Sequence, residues 1–176
     1  MKNKQLIWNY VLVFTITVIL GTISHFLFEW IHFYGFAPFV PVNESIFEHL
    51  KLLFYPFMFV SVIELLIRKK RLEKLMPARI FSIMLSIVLM LFLYSFLKWL
   101  GFVNLIVDIF RYVAYLFLAY YLSYIAEVKH FMDRKAFRIA ALILAVIVVF
   151  IFSLTTFCTP KWEIFRDPST GGYGIL

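Results

Sequence analysis

Charge is scarce in this chain. Only 15% of its 176 residues are Asp, Glu, Lys or Arg, against about a quarter in a soluble domain. With 64% hydrophobic residues and a mean hydropathy of +0.93, that deficit excludes an ordinary water-soluble domain. A single cysteine, Cys158, excludes an internal disulfide framework and a cysteine-rich metal site. Acidic residues number 10 against 17 basic ones, a net charge of +7. In a soluble protein such an excess would suggest nucleic acid. In so apolar a chain it reads instead as a topology signal, and nucleic acid is not an expected partner. There is no Gly-rich phosphate loop, no H-E-x-x-H, no paired E-x-x-H and no convincing Ser/His/Asp set. No A-x-A-type cleavage pattern follows the first apolar run, which is expected to remain as a helix.

What the chain has is long apolar runs. A spanning helix needs about 20 mostly apolar residues, and five segments qualify, at about 7–34, 47–67, 80–97, 102–125 and 137–157. Gly35 with Pro38 and Pro41, the stretch from Arg68 to Arg79, Gly101, and the stretch from Glu127 to Arg138 separate them. Pro56 falls inside the second and should kink it. The expected fold is all-α: one polytopic domain of five transmembrane helices, with no internal repeat and no linker.

Five spans put the termini on opposite sides. With the N-terminus inside, Lys2, Lys4, Arg68, Lys69, Lys70, Arg71, Lys74, Arg79, Lys129, Arg134, Lys135 and Arg138 all lie on the cytoplasmic side. Lys51, Lys98, Arg111, Lys161 and Arg166 remain on or toward the other. That bias orients a multi-pass protein of the cell membrane with its N-terminus in and residues 158–176 as an extracytoplasmic tail. The run Arg68-Lys69-Lys70-Arg71 is either a topology anchor or a contact for anionic lipid head groups.

Given that orientation, the unusual polar residues gather in the outer half. Thr15, Val18, Thr22, His25, Glu29 and His32 follow steps of 3 and 4 along one face of the first helix. His25 and Glu29, one turn apart, are suited to ligate one ion or to hydrogen-bond each other. The second helix opens with Asn43-Glu44-Ser45-Ile46-Phe47-Glu48-His49-Leu50-Lys51. Ser45-x-x-Glu48 is a capping box, which accounts for those residues and for Glu44 beside a helix start. It does not account for His49 or Lys51. His49 lies about 100° from Glu48 around the axis, so the two face different neighbours. On the fourth helix Asn104, Asp108, Arg111 and Tyr115 share a face. Arg111 falls near mid-membrane and needs a partner, with Asp108, Glu48 and Glu29 available. Glu64, toward the inner end of the second helix, reads as a partner of the basic loop.

Three roles fit these residues. In the first, an outward-facing site holds a divalent metal ion, the only cofactor suggested, through His25, Glu29, Glu48 and His49. Glu48, His49 and Glu44 would then act as acid and base on a small or lipid-phase substrate, or the site would only bind. Lys51, Arg111, Asp108, Asn43 and Asp167 would contact an anionic ligand. In the second, the same residues relay ions or protons, a reading weakened by the absence of an inverted repeat and of inner-side acids besides Glu64. In the third, the protein is a non-catalytic membrane partner whose polar cluster sets helix register. The bilayer is the one sure partner; an oligomer is compatible with all three.

Three motifs together, G-x-x-x-H-F-x-F-E-W (Gly21 to Trp30), P-V-N-E-S-x-x-E-H-L-K (Pro41 to Lys51) and a terminal F-x-D-P-x-T-G-x-Y-G-I (Phe165 to Ile175), resemble a family of small bacterial membrane proteins classed as a domain of unknown function. The resemblance implies a multi-helix membrane architecture over most of the chain. It points to His25, Glu29, Asn43, Glu44, Glu48, His49, Lys51 and Asp167, and it implies no activity.

Overall fold

The computed structural model describes residues 3–70, 72–102, 104–130, 132 and 134–175. It is built from five α-helices: α1 (Asn3–Ile31), α2 (Ile46–Ile67), α3 (Leu72–Trp99), α4 (Leu105–Lys129) and α5 (Lys135–Phe157). Short 3-10 turns occupy Tyr34–Phe36 and Glu163–Phe165. All five helices are long and apolar enough to cross a membrane, so the protein is a helical, multi-pass membrane protein. Among the described residues the only sheet-like pairing is one bridge between Arg166 and Tyr173.

Helix ends follow local chemistry and differ from the apolar runs in informative places. α1 stops at Ile31, short of the expected residue 34, because His32 turns left-handed (φ 49°) while its N–H closes on the Phe28 carbonyl. α3 begins at Leu72, eight residues before the expected start. Leu72 to Met76 are all strong helix formers, and Pro77 removes only one hydrogen bond near the helix start. α4 starts three residues late because Asn104 caps it, its Oδ1 accepting from the Val107 N–H at 3.0 Å. It then runs four residues past the expected end, to Lys129.

Successive helices run antiparallel, which defines two ends. The basic end carries Asn3, residues 68–70 and residues 130, 132 and 134; the tail end carries residues 32–45, 100–102, 104 and 158–175. α2 is the most enclosed helix, with 61% of its apolar window buried against 22% for α1, α4 and α5. It packs against α1 and α3, while α3 also supports α4 and α5. Pro56 has no N–H for the Leu52 carbonyl, and Gly21 of α1 packs at that carbonyl. A side chain at Gly21 would overlap the Tyr112 hydroxyl of α4, so glycine is what lets three helices meet there. The core is aromatic and aliphatic, with Leu53, Phe57, Ile83 and Leu116 fully buried.

Candidate functional site

At the tail end, Ser45 caps α2: its Oγ accepts the Glu48 N–H at 3.3 Å. The reciprocal half of the capping box is absent. The Ser45 N–H goes to Asn43 Oδ1 at 2.9 Å, and the Glu48 carboxylate takes the Val42 N–H at 3.1 Å. Glu48 is thereby turned inward to Lys51, whose Nζ lies 2.5 Å from its Oε2. Lys51 has no exposed surface. Its ammonium also donates to the Ala37 carbonyl (2.9 Å) and Thr156 Oγ1 (2.7 Å), with the Val40 carbonyl at 3.4 Å. One cation therefore joins the α1–α2 connection, α2 and α5. Its three N–H groups are taken by the protein's own acceptors.

His49 points the other way, toward α1. Its ring lies 5.1 Å from that of His25, with Glu44 beside both. Glu44 Oε2 is 3.5 Å from His49 Nε2, and Glu44 Oε1 is 3.8 Å from His25 Nε2. One ligand atom from each of the three lies within 4.8 Å of the others. Their side chains are 25% (His25), 27% (His49) and 43% (Glu44) exposed, so the cluster is open on one side. His49 Nδ1 sits 2.8 Å from the Ser45 carbonyl. A carbonyl only accepts, so Nδ1 carries the proton. In the neutral ring, Nε2 then presents a bare lone pair to the Glu44 carboxylate. Positive charge belongs between that nitrogen and the carboxylate, and either a proton on Nε2 or a metal ion supplies it. Glu29, one turn beyond His25, is exposed and is not one of the three.

Glu44 is held from behind by the C-terminal tail. Its N–H points at Asp167 Oδ2 (3.4 Å), while Asn43 Nδ2 donates to the Gly174 carbonyl at 2.8 Å. Phe165 is buried against Phe47, ring centroids 4.4 Å apart. Gly174, at φ 74°, takes a conformation that L side chains rarely adopt and lies against Thr159. Asp167, 2% exposed, also accepts from the Ser169 N–H and hydroxyl at 2.7 and 2.6 Å. Burial raises its carboxyl pKa, but the Ser169 bonds, with those from Glu44 and Thr170, outweigh it and hold the pKa below the usual range. A depressed pKa contributes stability that is present above the unfolded value of about 4. That stability is lost as pH falls through the folded value. Amide hydrogen exchange over 162–175 should therefore accelerate as pH drops below about 4, relative to intrinsic rates, and Asp167→Asn should remove that pH step.

Arg111, 4% exposed, pairs with Asp108 on its own helix and lies over the Tyr94 ring of α3 at 5.0 Å. These partners belong to the α3–α4 contact, so the structure does not join Arg111 to the histidines. Among the described residues of the basic run, Arg68 turns inward; Arg71 lies outside the described residues.

A second polar cluster, at the basic end, was not apparent in the sequence beyond Glu64. Glu64 accepts from Arg79 Nη2 at 2.8 Å, from Asn9 Nδ2 at 2.6 Å and from Arg68. Arg68 also pairs with Glu127, which takes the Tyr10 hydroxyl at 2.8 Å. Arg79, 1% exposed, is sandwiched near the Tyr10 and Tyr120 rings at 4.5 and 5.5 Å. Two arginines and two glutamates thus join α1, α2, α3 and α4. Arg79 and Glu127 escaped notice because they stood in segments read as connections; extending α3 and α4 carries both into the bundle.

Taken together, the fold and these polar contacts define a five-helix membrane protein with polar clusters at both ends. Over residues 1–175 the chain matches, and belongs to, the family described as "Family of unknown function (DUF6512)". No curated protein and no solved structure matches it.

Proposed function

We propose that this is a cell-membrane protein, N-terminus in the cytoplasm, that binds a divalent transition-metal ion at its extracytoplasmic end through His25, Glu44 and His49. The observation that carries the reading is the Nδ1–H of His49 committed to the Ser45 carbonyl, which aims the Nε2 lone pair at a carboxylate. Two imidazoles and one carboxylate make the three-ligand set of open zinc-type sites, which leave a fourth position for water or a ligand. In a tetrahedral site with bonds of about 2 Å, ligand atoms stand roughly 3.3 Å apart. The present spread, up to 4.8 Å, would have to tighten as the ion binds. The open position would take a small anionic or lipid-phase ligand. Lys51 and Asp167 serve the scaffold around it, and Glu48 enters through Lys51.

Metal analysis by mass spectrometry on detergent-purified protein tests this directly. Wild type should carry close to one equivalent of zinc after loading, and Glu44→Gln/His49→Ala should carry essentially none while keeping its helix content and the melting temperature of metal-free wild type. Absence of metal from loaded wild type, or its retention by the double variant, would reject the site.

The basic-end network favours a second, compatible role. Buried ion pairs between helices are best attested as devices that specify register, and a partner protein can rely on a bundle held that way.

A further inference from the structure

A cleft separates α1 and α4 on the bundle's surface near the basic end, well away from the histidines, with a volume of about 420 Å³. Ile7, Val11 and Phe14 form one wall and Phe117, Tyr121 and Tyr124 the other. Both walls follow the i, i+4, i+7 spacing that lines up side chains along one helix face. Tyr10 and Tyr120 form the floor, and neither offers its hydroxyl to the cleft: Tyr10 donates to Glu127, and Tyr120 bonds Thr17 at 2.6 Å. The surface that lines the cleft, rings of Tyr121 and Tyr124 included, is almost entirely carbon. The walls are open, with Val11 48%, Phe117 60% and Tyr121 51% exposed, on helices long enough to cross a membrane.

Charge selects the occupant: the cleft itself is apolar, and the groups that stand at its basic-end mouth are cations. Lys4 stands one turn before Ile7 on the same α1 stripe, and Lys129 ends α4 five residues beyond Tyr124; both are exposed. Trp8, 72% exposed, adds an aromatic side chain of the kind that settles at head-group level. We propose that this cleft binds one acyl chain of an anionic phospholipid, whose phosphate meets Lys4 and Lys129. The proposal rests on the membrane placement of the bundle and is independent of the metal site.

Native mass spectrometry of the full-length protein, titrated with phosphatidylglycerol or with phosphatidylcholine of the same acyl chains, tests it. Wild type should retain one phosphatidylglycerol about thirtyfold more strongly than phosphatidylcholine, the preference two basic residues near a head group supply. Lys4→Gln/Lys129→Gln should erase the preference and keep weak binding of both lipids. Val11→Trp, which fills the cleft, should lose both; Ile7→Trp gives the same test if Val11→Trp does not fold. Equal retention of the two lipids by wild type, or undiminished phosphatidylglycerol on both tryptophan variants, would overturn the assignment. So would a wild-type dimer that Val11→Trp splits, since a second copy would then fill the cleft.

Discussion

Lys51→Met should cost about 3–5 kcal/mol of stability, the range for removing one partner of a buried ion pair. The loss comes mostly from what is left behind. Glu48 is 4% exposed and keeps only the Val42 N–H among its described partners, while the Ala37 carbonyl and Thr156 hydroxyl lose a shared donor. Methionine matches the lysine stem in length, so packing changes little. Lys51→Met/Glu48→Gln should recover much of the loss, because the second change removes the stranded charge. Denaturant unfolding in detergent followed by circular dichroism measures both variants. If the double variant is no more stable than Lys51→Met, the Lys51–Glu48 pair does not act through charge.

Glu64→Leu should be comparably severe, about 3–5 kcal/mol, and its damage falls on α3. Arg68 keeps Glu127 as a partner, but Arg79 loses its carboxylate and is left buried against two tyrosine rings. Glu64→Leu/Arg79→Leu should be more stable than Glu64→Leu alone. The same unfolding series reads the effect, and metal content serves as an internal control. Glu64 lies 15 residues along α2 from His49, about 22 Å, so a folded Glu64→Leu protein should bind metal as wild type does. Loss of metal in that variant would mean that the two ends are coupled.

The histidine cluster was legible residue by residue but not as a group. His25, Glu44 and His49 all stand out in the sequence, as do Glu29, Glu48 and Lys51. Which of them meet depends on rotation about two helix axes and on the path of the α1–α2 connection. His32 ends α1 and turns the chain, so that Ala37 and Val40 pass over Lys51 and draw Glu48 inward. That leaves Glu44 as the carboxylate facing the imidazoles. The tail contributes from more than 120 positions away, through Asp167 and Gly174, a distance over which no periodicity carries information. Arg79 and Glu127 were hidden for a different reason. Hydropathy marks where a helix is apolar, and helix formers such as Leu72 to Met76 extend it beyond that stretch.

The sequence by itself determined the number of spans, the all-helical fold and the excess of basic residues at one end. Each of these follows from properties that add along the chain: about 20 apolar residues satisfy a hydrocarbon layer whatever their neighbours do. Asp108 beside Arg111 and Glu64 beside the basic loop were legible as pairs, but tertiary structure alone decided which carboxylates are enclosed. Glu48 and Glu64 are neutralised inside the bundle while Glu44 stays half-open beside two histidines, because a carboxylate's environment is set by whichever helix packs against it.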